Sequence, residues 1–253
     1  MDDEAFYRPL GDDSFRPTVC AQGPTHQYGG AVAALLIKAA EDSVAAPGFQ
    51  LTRATCDFLG PVPIADVTIA AHTARQGASL QLVVAELSVA GKTCATLRGW
   101  WMRSTRLDLP RQDEERPVPV IPPAQPHPRP PFGYLRASER RFVRGDFLEP
   151  GPVFVWSRTP LPLVAGIPAT RLQHLFINTD IACGVSSVLD WNEFVFANVD
   201  LTLHLHRQPT GEWTGLDATT HISDHGTGTT HTQLWDEKGL IGSAAQALYV
   251  ARR

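Results

Sequence analysis

Along residues 199–207 the chain alternates between apolar and polar side chains. Val199, Leu201, Leu203 and Leu205 are apolar, while Asp200, Thr202, His204 and His206 between them are polar. This is the period-2 pattern of a strand with one buried face, and it puts Asp200 on the face opposite the leucines. Strand-like runs follow at about 213–223, 229–236 and 240–250, separated by Gly-containing turns at Pro209-Thr-Gly211 and Asp236-Glu-Lys-Gly239. Together the four runs predict an antiparallel meander. Gln246 is the polar exception in an otherwise nearly apolar last run. A buried amide left without partners costs about 1–3 kcal/mol, so something polar is expected to face it.

The first half of the chain follows a different period. Residues 28–43 are rich in Ala and Leu and apolar on nearly every side as far as Lys38, which predicts a buried helix. Gly29 and Gly30 open it. Two readings of that pair are compatible with the sequence: close packing, or the approach of a ligand carbonyl or phosphate to free N–H groups at the positive helix end. Strand-like runs then cover 51–60, 67–74, 80–90 and 93–102, with Gly91-Lys92 as a tight turn. One helix followed by an antiparallel meander is an α+β pattern.

Prolines crowd residues 109–131, which read as an extended spacer between residues 1–108 and 132–253. The second half repeats the order of the first. Strand-like pieces near 134–147 and 153–158 lead to a predicted helix at 178–189, then to the four runs described above. Each half ends with a charged turn, an Ala-rich strand and an arginine (Arg103, Arg252). A duplicated helix-plus-meander unit is the simplest account.

Composition narrows the function. With 253 residues and 43% hydrophobic content the chain can bury a full core, and a net charge of −4 offers no basic footprint for nucleic acid. No run is long enough to span a membrane, and the acidic start has no leader pattern, so the expected location is cytoplasmic. Cys20, Cys56, Cys94 and Cys183 are widely spaced and read as reduced structural thiols.

Several segments carry a family resemblance. His26-Gln-Tyr-Gly-Gly30, Phe58-Leu-Gly-Pro61, Arg75-Gln-Gly-Ala-Ser79 and the turn from Glu86 to Gly91 resemble the first repeat of acyl-CoA thioesterase II, the TesB-like proteins. Asn198-Val-Asp200, His206-Arg207, Gly211-Glu-Trp213, Asp236-Glu-Lys-Gly239 and Ala245-Gln246 resemble the second repeat. The resemblance covers about nine-tenths of the chain and implies a double hotdog: two helices, each wrapped by a curved antiparallel sheet, with the sheets joined edge to edge.

It also implies an activity, hydrolysis of a fatty acyl-CoA without a metal or an organic cofactor. The catalytic Asp of the family matches Asp200 and its Gln matches Gln246. The third polar residue, usually a hydroxyl, falls on His221, with Thr220 directly before it. Adjacent strand residues face opposite sides, so only one of the two can point at the site; His221 is the first expectation and Thr220 the other. Asp200 would take a proton from water while Gln246 and His221 orient it, and these three are expected at the mouth of an apolar tunnel. Substrate would lie against His26, Tyr28, Gly29, Gly30 and Gly184, with backbone N–H groups near Gly29-Gly30 or Cys183-Gly184 facing the developing oxyanion.

Competing constellations are weaker. Gly184-Val-Ser186-Ser-Val188 lacks the closing glycine of a nucleophile elbow, His204, His206, His221, His225 and His231 show no recognised metal spacing, and Gly226-Thr-Gly228 sits between strands. A non-catalytic hotdog that binds acyl-CoA or a partner protein is the alternative from another class. A closed homo-oligomer is compatible with either.

Overall fold

The computed structural model describes residues 4–44, 47–108, 116–124 and 132–253. Two short strands, β1 (Tyr7–Gly11) and β2 (Ser14–Pro17), precede helix α1 (Gly29–Ser43) and strands β3 (Phe49–Phe58), β4 (Val67–Gln76), β5 (Leu80–Val89) and β6 (Lys92–Arg103). The second half contains a helical turn α2 (Gly133–Arg136), strands β7 (Glu139–Arg144) and β8 (Val153–Arg158), helix α3 (Arg171–Thr179), a second turn α4 (Ala182–Val185), and strands β9 (Phe194–Asn198), β10 (Asp200–Leu205), β11 (Thr214–Ile222), β12 (Thr227–Asp236) and β13 (Gly239–Arg252).

All strands join one sheet in the order β1-β2-β4-β5-β6-β3-β10-β13-β12-β11-β8-β7, with β9 also on β13. Read outward from the β3–β10 seam, the two halves have the same order: β3, β6, β5, β4, β2, β1 on one side and β10, β13, β12, β11, β8, β7 on the other. This is the double hotdog. The predicted meander needs one correction. The first strand of each set skips its sequence neighbour and pairs with the last, β10 with β13 and β3 with β6. The Pro209–Gly211 segment is therefore a crossing and not a hairpin. It is anchored where it passes the β12–β13 turn: Arg207 forms a two-pronged pair with Asp236 (2.5 and 2.6 Å), and Asp236 also accepts from the Thr210 N–H at 2.9 Å.

Helix α1 is buried because it packs on the first sheet and on α3 at once, which leaves Ala31 to Ile37 fully covered. Its neighbour differs from expectation. The helix in the second half runs Arg171–Thr179, earlier than 178–189, because Thr170 and Gln173 form a capping box that starts it there. Tyr134 likewise lies on α2 ahead of β7, not in a strand.

Of the Pro-rich segment 109–131, residues 116–124 are described; the rest lie outside the described residues. Residues 116–124 do more than span. Val118 and Ile121 cover an outer-face cluster of Phe154, Trp156, Trp213 and Trp235, and Arg141 donates to the Pro122 carbonyl at 2.9 Å.

Candidate active site

The two helices run antiparallel, so each places its C-terminal end beside the other's N-terminus. At one such junction the Glu41 carboxylate of α1 accepts from Thr170 Oγ1 (3.0 Å) and Gln173 Nε2 (2.7 Å) at the capped start of α3. At the other, Asp180 closes α3 beside the start of α1. That start has no side-chain cap, and its first two residues are glycines. An uncapped helix N-terminus is a ready acceptor of negative charge.

Asp180 is buried, and its carboxylate accepts from Asn198 Nδ2 at 2.8 Å and from the Gly30 N–H. Burial pushes its pKa up from 3.8 to about 6, against the pull of those two donors. The approach to α1 is close. A Cβ at Gly29 would stand 2.9 Å from Asp180 Oδ2, so glycine here makes room for the carboxylate. At Gly30 a Cβ would meet the Tyr28 ring and, at 2.8 Å, the Ile177 carbonyl, so that glycine serves helix packing.

Gln246 lies on the inner face of β13, 2% exposed. Its polar partners are now named: Oε1 accepts from the Cys183 N–H at 3.2 Å, and Nε2 donates to the Asp180 carbonyl at 3.1 Å. Gln246 thus fixes the backbone on which Asp180 stands. Across the sheet it is in register with Thr230 and Thr220. The Thr220 hydroxyl is buried, 2.7 Å from both Thr230 Oγ1 and Ser186 Oγ. Burial and the nearby Asp180 charge push the Cys183 thiol up to about 12, so it stays protonated.

A β-bulge aims Asn198. Asn198 pairs with Leu248 and Thr202 with Ala245, so four steps on one strand face three on the other. The extra residue reverses the alternation, and Asn198 turns to the helix side like Leu201 although their spacing is odd. Asp200 sits at the bulge. Its Oδ1 accepts from the Ala247 N–H at 2.7 Å and its Oδ2 from Thr202 Oγ1 at 3.0 Å. The carboxylate takes the ladder position that the bulge disrupts.

Two family models match this chain. That of the acyl-CoA thioesterase N-terminal domain covers residues 15–102, and that of the acyl-CoA thioesterase C-terminal domain covers residues 112–250, more than half of the chain. The chain belongs to the acyl-CoA thioesterase family. Solved structures share the fold of this thioesterase at low identity. A hotdog-fold protein from Alicyclobacillus acidocaldarius is 19% identical with a TM-score of 0.76, covering 99% of this chain and 97% of that one. The acyl-CoA thioesterase II TesB2 from Mycobacterium marinum is 18% identical with a TM-score of 0.72, covering 98% and 95%. A TesB protein of Mycobacterium avium subsp. paratuberculosis is 17% identical with a TM-score of 0.69, covering 97% and 96%. Comparison with curated protein sequences gives no match.

The expected trio of Asp200, His221 and Gln246 does not converge in this thioesterase. Asp200 points away from the helices, as its strand parity dictates, and is occupied by the bulge. His221 is exposed on the outer face, and its neighbour Thr220 faces inward. The polar residues that do gather are Asp180, Asn198 and Gln246. The Gly184 N–H is bonded to the Ile181 carbonyl at 2.8 Å and the Cys183 N–H to Gln246, so neither faces an oxyanion. Tyr28 lends its ring to the site while its hydroxyl donates to the Ile177 carbonyl at 2.7 Å. His26 meets Thr25 Oγ1 at 3.0 Å, and burial lowers its pKa. Asp180 was not isolated in the way Gln246 is, because the polar residues Asn178 and Thr179 directly precede it; the one signal was an acidic residue inside a predicted helix. No described helix is long and apolar enough to cross a membrane.

Proposed function

We propose that this thioesterase hydrolyses the thioester of a fatty acyl-CoA in the cytoplasm, with Asp180 as general base. The observation that carries the reading is a buried carboxylate poised near neutral pH at an open helix N-terminus. Asp180 takes a proton from a bound water, whose oxygen attacks the carbonyl carbon. The C=O pair moves onto oxygen, facing the Gly29 end of α1, and returns as the C–S bond breaks. CoA leaves as thiolate and recovers the proton from Asp180. Asn198 holds the carboxylate, and Gln246 holds its backbone. The apolar neighbours Phe58, Tyr28 and Tyr134 support a fatty acyl substrate, and the scheme needs no acyl-enzyme.

The test is free-thiol release from medium- and long-chain acyl-CoAs by purified variants. Asp180→Asn is expected to lose about 10²–10⁴-fold in turnover, the range for a general base. His221→Ala should keep the parent rate, and Asp200→Asn should lose less than tenfold, through the bulge that aims Asn198. A parent protein that binds acyl-CoA but releases no thiol would return the reading to a binding module. A rate that falls with Asp200→Asn and not with Asp180→Asn would return the base to Asp200.

A further inference from the structure

The turn α2 presents one side chain to the site and is tightly anchored for its size. A Cβ at Gly133 would collide with the Val19 carbonyl oxygen, so glycine alone lets α2 sit on the turn below it. Ser138 Oγ donates to the Tyr134 carbonyl at 3.0 Å. Arg140 donates to the Leu135 carbonyl and, at 3.1 Å, to Ser138 Oγ. These contacts hold the Tyr134 ring flat on Tyr28, with centroids 4.0 Å apart and planes 6° from parallel. Tyr28 directly precedes Gly29 and Gly30, and its own hydroxyl is committed to Ile177. Tyr134 is therefore a fixed plate over the open end of α1.

Its hydroxyl is different. Among the described residues it has no hydrogen-bond partner, although the residue is half-buried. Burial, then the nearby Asp180 carboxylate and Cys183, raise its pKa well above the ordinary tyrosine value. It is thus a neutral phenol beside an anionic base, able to donate and not to accept charge.

We propose that the Tyr134 hydroxyl donates to the substrate's thioester carbonyl oxygen, making it a further substrate-touching residue of the reaction. The inference rests on Asp180 as the centre of the site. As water attacks, the carbonyl pair moves onto oxygen and strengthens the hydrogen bond; when the C–S bond breaks the pair returns. The phenol proton stays on Tyr134 throughout, so no charge has to move through the ring.

Tyr134→Phe keeps the ring, its stack and the turn, and removes only the donor. The expected result is a fall in kcat of about 10²-fold, the lower end for loss of one oxyanion donor, with KM within about threefold and an unchanged Tm. Two non-hydrolysable ligands separate this from a structural effect. A ketone analogue, with CH2 in place of sulfur, should bind the variant about tenfold more weakly than the parent. An S-alkyl-CoA thioether, which has no carbonyl, should bind both equally. A kcat within twofold of the parent, or equal losses for both ligands, would overturn the proposal. Asp180→Asn assayed alongside reports on the base separately, because the ligand comparison does not depend on which group activates water.

Discussion

Asp180→Asn should do two things at once: cut turnover by about 10²–10⁴-fold and make the protein more stable, with a pH dependence of known sign. In the unfolded chain the Asp180 carboxyl gives up its proton near 3.8, and in the fold near 6. The native state therefore binds that proton more tightly than the unfolded state does. Below about pH 4 the group is protonated in both states and contributes nothing. Between pH 4 and 6 the cost of holding a buried charge grows, and above pH 6 it is complete. At 1.36 kcal/mol per tenfold difference in proton affinity, that cost is about 3 kcal/mol. Asn has nearly the same shape, keeps one acceptor oxygen for Asn198 Nδ2, and carries no charge. Urea denaturation of parent and variant from pH 4 to pH 7.5 measures the difference directly. The variant should gain about 3 kcal/mol relative to the parent across that interval, or a Tm rise of several degrees for a chain of this size. A stability difference that stays flat with pH to within about 0.5 kcal/mol would refute the account of Asp180 as an ionised buried base, whatever the turnover data show.

Asn198→Ala removes a donor that pulls the Asp180 pKa down, so the acidic limb of the kcat/KM profile should move to higher pH, read from a pH series of initial rates. An unmoved limb would mean that Asn198 does not bond the working carboxylate. Gly29→Ala puts a methyl group 2.9 Å from Asp180 Oδ2; it should cut kcat by at least tenfold while far-UV circular dichroism stays that of the parent, since alanine itself favours a helix. Parental kcat would show that the carboxylate can retreat at no cost.

Much of the architecture was present in the order of residues alone. Alternation in 199–207, the Ala/Leu helix at 28–43 and the turn residues between strands reflect local chemistry, and β8 runs Val153–Arg158 as its pattern predicts. Strand parity alone put Asp200 on the far side from the leucines. Gln246 was identified by its isolation, because burying an amide demands partners wherever they come from. The rest depended on contacts between residues distant in the chain. Nothing local states that β10 pairs with β13 and β3, or that Asp180 from α3 meets Gly30 from α1, 150 positions earlier. The bulge at Asp200 reversed the facing of Asn198, and periodicity cannot report an inserted residue whose only signature is an unpaired step in a ladder. The choice between the two helix junctions was also tertiary. One start is closed by Thr170 and Gln173, the other has no cap from its own segment and opens with glycines, and it becomes a site only when packing brings the Asp180 carboxylate to the Gly30 N–H and water is excluded.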